Sequence, residues 1–275
     1  MSEGGSGLAS PGDRRWDLAL RNQWNVLPAI FFRDADSRHG RRFLLGYLAS
    51  GIEPLSIVLV LGFLFSVLAR STPYGRSLLL FLGTGVFPIY LFIHTSVRMR
   101  QSLGIGKHRV RFPIERPLDL VLVHALQHFL MNLLVAALFF SALYALGVNA
   151  AMPESPLIAF NALCAIFLFG LAMGIANSVI ARMLPIWDLI WPAIARTTLH
   201  FSGLYYVAAY LPPTIRWYFQ FNPVMYGTNW FRQAFYPFYP DFASDHGVLL
   251  MSGLSALTLG LLLEAGTRRY LEAKE

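Results

Sequence analysis

The sequence predicts an all-α polytopic membrane bundle of six transmembrane helices with both termini cytoplasmic, and three observations carry that prediction. Hydrophobic residues make up 56% of the chain and charged residues 13%, against roughly 45–50% and 25% in soluble domains. The apolar residues fall in long blocks separated by charged or Pro/Gly-rich breaks, the pattern of one helical domain solvated largely by lipid. Lys and Arg outside those blocks are distributed unevenly, 17 on one side and four on the other.

Residues 1–15 (MSEGGSGLASPGDRR) are Gly/Ser-rich with no apolar core, so they predict a disordered tail and not a cleaved export signal. Over 16–42, Trp16, Trp24, Leu27, Ile30, Phe31 and Phe32 alternate with Arg21 and Arg33. That mixture predicts an amphipathic helix lying at the membrane interface, too short and too polar to cross. A crossing helix needs about 20 mostly apolar residues, and six blocks qualify within a membrane domain of 43–266: 43–69, 78–97, 119–146, 158–181, 187–211 and 248–266. The fifth contains Pro192, Arg196, His200 and Gly203, which predict a kinked or partly unwound helix facing protein. Residues 267–275 remain as a cytoplasmic tail. By the positive-inside rule the basic side, which holds both termini, is the cytoplasm.

The segment 212–247 carries twelve aromatic residues, among them Trp217, Tyr226 and Trp230. Such density suits the membrane interface, a re-entrant hairpin packed on the bundle, or a passage for a ligand with apolar faces.

Chemistry within the chain is sparse. The formal charge of +7 comes from arginines between apolar blocks, where they set topology and meet anionic lipid headgroups, so no nucleic-acid partner is implied. Cys164 is the single cysteine and sits in an apolar block, leaving no intramolecular disulfide and no thiolate metal site. Gly106-Lys107-His108 lacks the Ser or Thr that must follow the lysine of a phosphate-binding loop. His124 and His128 share a helical face, yet Ala125 stands where a metalloprotease needs Glu; polar contacts to neighbouring helices account for them, and no metal is predicted. Ionisable residues inside spans are costly and therefore functional candidates: Glu53, His94, Arg196 and His200. A Glu53–Arg196 pair would satisfy two of them. Gly170 and Gly174 form a GxxxG spacing that suits either intramolecular packing or dimerisation.

Three stretches carry a resemblance. They are Arg41-Arg42-Phe43-Leu44-Leu45-Gly46-Tyr47-Leu48 continuing to Glu53-Pro54-Leu55; Phe112-Pro113-Ile114-Glu115-Arg116-Pro117; and Leu211-Pro212, Asn222-Pro223 and Trp230-Phe231-Arg232. In this order they resemble the permease subunits of ABC-2-type polysaccharide exporters, the family of capsular polysaccharide and O-antigen export. Asn229 departs from the acidic residue expected there, which puts a local carboxylate partner for Arg232 in doubt.

The resemblance implies a permease of the bacterial inner membrane that is not itself an enzyme. It implies a homodimer bound to two copies of an ABC ATPase that supplies ATP and Mg, with no cofactor on this chain. The inner loop 98–118, through Lys107, Arg109, Arg111, Phe112, Pro113 and Glu115, is then the docking surface. The aromatics Tyr205, Tyr206, Tyr210, Trp217, Tyr226 and Trp230 would line the path of a polysaccharide, with or without a lipid anchor. Membrane lipids, periplasmic proteins and outer-membrane proteins complete the implied partners. A drug or small-lipid exporter permease, a non-transporting scaffold and an ion-driven transporter are the rival readings.

Overall fold

The computed structural model describes residues 43–105, 117–240 and 245–272. The expected tail 1–15, most of the docking loop with Lys107, Arg109, Arg111, Phe112, Pro113 and Glu115, and the interfacial helix 16–42 lie outside the described residues. Among the described residues the chain forms helices α1 (Phe43–Val67), α2 (Leu78–Ile105), α3 (Pro117–Ala145), α4 (Pro156–Met183), α5 (Trp187–Phe201), α6 (Pro213–Phe219), α7 (Pro223–Gln233) and α8 (His246–Glu272), and no strand. Short 3-10 turns occupy Asn149–Ala151 and Ala208–Tyr210.

Local chemistry sets several of these boundaries. Proline opens α4, α6 and α7, where its fixed φ suits the first turn and its missing N–H is no loss. Ser155 accepts from the Ile158 N–H and Asn222 from the Val224 N–H, satisfying donors that a helix start leaves open. Four helices hold apolar stretches long enough to cross a membrane: Leu78–Met99, Ala125–Ala145, Pro156–Met183 and His246–Gly266. Helix α1 has 25 residues, about 37 Å of rise, with its apolar stretch over Gly51–Val67.

The fifth apolar block is partly unwound, as Pro192 and Gly203 predict, and is not an uninterrupted helix over 187–211. Helix α5 has 15 residues, about 22 Å, less than the ~30 Å of the hydrocarbon layer. The chain turns at Gly203, whose φ of +80° favours glycine. Side chains take up the backbone oxygens that a longer helix would have used: Asn222 Nδ2 donates to the Phe201 carbonyl at 3.1 Å, and Arg232 Nη1 to that of Gly203 at 2.7 Å. The break is thus stabilised by residues twenty to thirty positions downstream. The expectation that this block faces protein holds only in part. Trp191 and Ala195 are buried, whereas Arg196 and His200 are exposed.

Helix α2 is the centre of the bundle. From Leu80 to Ile93 it is buried throughout, and it packs most extensively on α4, which in turn packs on α8. The Gly170 and Gly174 spacing serves this contact. A Cβ at Gly174 would come within 2.6 Å of Met99 Cβ and 3.1 Å of the Ser96 carbonyl, so the two helices approach at backbone distance. That assigns the motif to intramolecular packing.

Three connections meet at one end. Tyr74, between α1 and α2, donates to the Phe238 carbonyl at 2.7 Å, and the Glu154 N–H, between α3 and α4, donates to Ala234 O at 2.8 Å. At the opposite end Arg182 of α4 pairs with Glu264 of α8 through both guanidinium nitrogens. Connections that alternate between ends in this way are those of helices that cross in alternating directions. Helices α6 and α7 form a hairpin that returns into the bundle: a Cβ on Gly227 would overlap Ile166, ten residues and so about 15 Å along α4 from its start.

Candidate functional site

The exposed polar face lies along α1 and α5, with α2 behind it. Glu53 follows two apolar turns of α1, and Pro54 after it removes one backbone donor from the helix interior. The Glu53 side chain is 51% exposed and its Oε2 lies 3.0 Å from His94 Nε2 on α2, where His94 is only 14% exposed. Tyr90, one turn earlier, meets the His94 ring edge-on at 5.3 Å. On α5, Arg196, Thr197 and His200 recur at helical spacing and all are exposed. Arg196 is near enough for its charge to act on Tyr90 and His94, yet it makes no ion pair with Glu53 within the chain. The acid's partner is the histidine.

Above this face the break after α5 presents aromatic rings. Tyr205 stacks on His200, with centroids 5.6 Å apart and its hydroxyl 3.1 Å from Nδ1, and it approaches Phe65 of α1 at 6.2 Å. Tyr206 meets Phe219 edge-on at 5.6 Å. Tyr210 and Trp217 are 65% and 55% exposed, and Trp217 adjoins Tyr218 and Phe221. Tyr226 and Trp230 go elsewhere: Tyr226 is buried in α7, and Trp230 packs at 4.2 Å on His246 at the start of α8. Of the six expected path aromatics, Tyr210 and Trp217 are exposed, Tyr205, Tyr206 and Trp230 are half-buried, and Tyr226 is buried.

Arg232 is the polar group that reading the spans for ionisable residues passed over. It is fully buried. Its Nη1 donates to Gly203 O at 2.7 Å and Tyr239 Oη at 3.0 Å, its Nη2 lies 3.4 Å from Phe81 O, and the guanidinium stands 3.9 Å over the Phe81 ring. Carbonyl dipoles and a π-face thus replace the carboxylate that position 229 lacks, because a buried cation must be compensated by nearby negative potential. Four segments converge on this one side chain: the start of α2, the break after α5, α7 and the turn at Tyr239. The signal available in the sequence was an arginine enclosed by aromatics in a segment bound to meet the membrane.

The remaining ionisable contacts are structural. Arg98 Nη1 and His128 Nε2 lie 2.8 Å apart between α2 and α3, giving His128 a polar contact to a neighbouring helix. No group of three or more metal-ligating side chains occurs among the described residues.

A family model described as ABC-2 type transporter matches residues 31–236. The chain is similar to the capsule polysaccharide export inner-membrane protein BexB of Haemophilus influenzae, at 23% identity over 89% of this chain and 92% of that protein. It is similar to the polysialic acid transport protein KpsM of Escherichia coli, at 24% identity over 86% of this chain and 92% of the relative. The capsule polysaccharide export inner-membrane protein CtrC of Neisseria meningitidis serogroup B is 22% identical over 80% of this chain and 82% of its own length.

Proposed function

The chain belongs to the ABC-2 type transporter family, and on that premise we propose that it is the permease subunit of an ATP-driven exporter carrying a capsular or O-antigen type polysaccharide across the bacterial inner membrane. Two copies form the path and two copies of a separate ABC ATPase supply ATP hydrolysis. The chain crosses six times with both termini in the cytoplasm, α5 completing the fifth crossing together with the aromatic segment beyond it. The polysaccharide export and transport named for its relatives supports the substrate class.

The observation that carries this reading is the exposed face of Glu53, Arg196 and His200 within the apolar blocks, bordered by the half-buried Tyr205 and Tyr206 and the exposed Tyr210 and Trp217. A charged side chain at the centre of a bilayer costs at least about 2.5–3.5 kcal/mol, so such a face belongs against water, protein or a polar substrate. A scaffold without a path needs none of these residues exposed. Pyranose rings offer apolar C–H faces and polar hydroxyls, and aromatic rings along the exit give stacking contacts that tolerate sliding. By comparison with base–aromatic stacking at about 1–3 kcal/mol, each such contact is weak, which lets a polymer advance rather than lodge. Closure of the ATPase pair would move the basic loop between α2 and α3 and shift the bundle between closed and open arrangements.

The test replaces Tyr205, Tyr206, Tyr210 and Trp217 together by alanine and measures surface polymer per folded dimer, with ATPase association checked in the same membranes. Export per dimer should fall several-fold while association persists. Alanine at Tyr226 and Trp230, the packing pair, should instead lower abundance and export in parallel. Wild-type export per dimer in the fourfold variant removes the aromatic path.

A further inference from the structure

Glu53 on α1 and Arg196 on α5 stand on the same exposed face, and neither is fully compensated within the chain. Glu53 gives one carboxylate oxygen to His94 and stays 51% exposed. Arg196 is exposed and makes no hydrogen bond or ion pair among the described residues. Around them the face is apolar, with Ile52, Val60 and Phe63 exposed on α1 and Leu189 on α5. Hydrocarbon cannot solvate either charge. Phe65 of α1 approaches Tyr205 at 6.2 Å, and Tyr205 stacks on His200 of α5, so the helix of the acid and the helix of the base border one face.

A patch carrying one acid and one base is self-complementary under a twofold rotation, because an isologous contact brings residue i of each copy to residue j of the other. A patch of a single sign would repel its own image. We propose that Glu53 of one copy pairs with Arg196 of the second copy, in both directions, and that this double ion pair holds the path between the copies closed at membrane depth. The proposal rests on the homodimer reading above and names the contact that reading leaves open.

The pair suits a closure that must reopen. In apolar surroundings the two charges attract strongly, but taking them from water offsets much of that gain, so the net stability of a buried ion pair is small. When water and a hydroxyl-rich polymer enter, each charge is solvated again at little cost. His94 remains on Glu53 in both states and keeps the carboxylate oriented from α2. Apolar residues at these two positions would close the path with no such return.

The test uses the full-length chain in membranes with its ATPase. Two differently tagged copies are co-expressed, both Cys164→Ser, one Glu53→Cys and the other Arg196→Cys, and treated with a short bifunctional thiol reagent. The expected product is a dimer-sized species carrying both tags. A parallel series measures polymer export and ATP-independent leak of a small ion for Glu53→Arg, Arg196→Glu and the double reversal, with His94→Ala reporting loss of the His94 contact alone. Like charges facing each other should raise the leak about tenfold, and the double reversal should bring it back close to the wild-type level. If the tags co-purify but no 53–196 cross-link forms, or the double reversal leaks as each single does, the pairing is wrong and the homodimer stands. If the tags do not co-purify, the homodimer reading itself fails.

Discussion

Replacing Arg232 by alanine should destabilise this protein more than any conservative change on its surface. The side chain is fully buried and reaches Gly203 O at 2.7 Å, Tyr239 Oη at 3.0 Å and the face of Phe81 at 3.9 Å. Removing one partner of a buried, hydrogen-bonded charge costs about 3–5 kcal/mol, and this truncation strands a carbonyl and a tyrosine hydroxyl at once. Arg232→Lys keeps the charge but loses the planar fork and the stacking, so it should fall between alanine and wild type. A second substitution tests whether the socket is the cause. At Gly85 a Cβ would stand 2.9 Å from Arg232 Nη2 and 3.0 Å from Leu204 Cδ1, so Gly85→Ala should cost about 1–3 kcal/mol by overpacking. In the Arg232→Ala background half of that clash is gone, and the two effects should couple by about 1–2 kcal/mol. Equilibrium unfolding in mixed SDS and maltoside micelles, followed by tryptophan fluorescence, reads all four variants. Limited proteolysis should cut first within 202–240 in Arg232→Ala. An alanine variant within about 0.5 kcal/mol of wild type, or strict additivity with Gly85→Ala, would refute the reasoning, since sites without shared partners add to within that margin.

Two further outcomes follow from the charge pattern. Reporter fusions after residues 75, 152 and 240 should report the outer side and those after 108 and 275 the cytoplasm, following the 17-to-four division of basic residues; a cytoplasmic report at 152 would overturn six crossings. Charge reversal at Arg109 and Arg111 together should reduce ATPase co-purification and surface polymer while leaving membrane insertion intact, and unchanged values of both would move the docking surface off this loop.

The long helices were legible because lipid makes a simple demand. The block 78–97 became Leu78–Ile105, extended at its C-terminal end through Arg98, Arg100 and Gln101, and the block 158–181 became Pro156–Met183, two residues longer at each end. The fifth block was legible as a kinked or partly unwound segment from Pro192 and Gly203, but what holds its turn was not. Residues 202–211 are as apolar as the helix before them, so hydropathy gives no sign of a turn; the turn exists because Asn222 and Arg232 bind its carbonyls from a distance. The site was legible in part. Glu53, His94, Arg196 and His200 were found from the rarity of ionisable groups in spans, but the pairing of Glu53 with His94, 41 positions away, was not. The exposed Tyr210 and Trp217 and the buried Tyr226 carry the same residue types, and composition cannot separate them.

What the sequence determined by itself was the solvent and the rough limits of the long apolar helices. Transfer of a segment into lipid is close to a sum over its own residues, so it can be read locally. Only the tertiary structure decided which face of each helix is covered, where the re-entrant hairpin lies and which polar groups meet. A helix apolar on every side carries no stripe to mark its buried face. The contacts that choose that face, Met99 against Gly174 or Arg232 over Phe81, join residues 75 and 151 positions apart, and their energies exist only once the helices are packed.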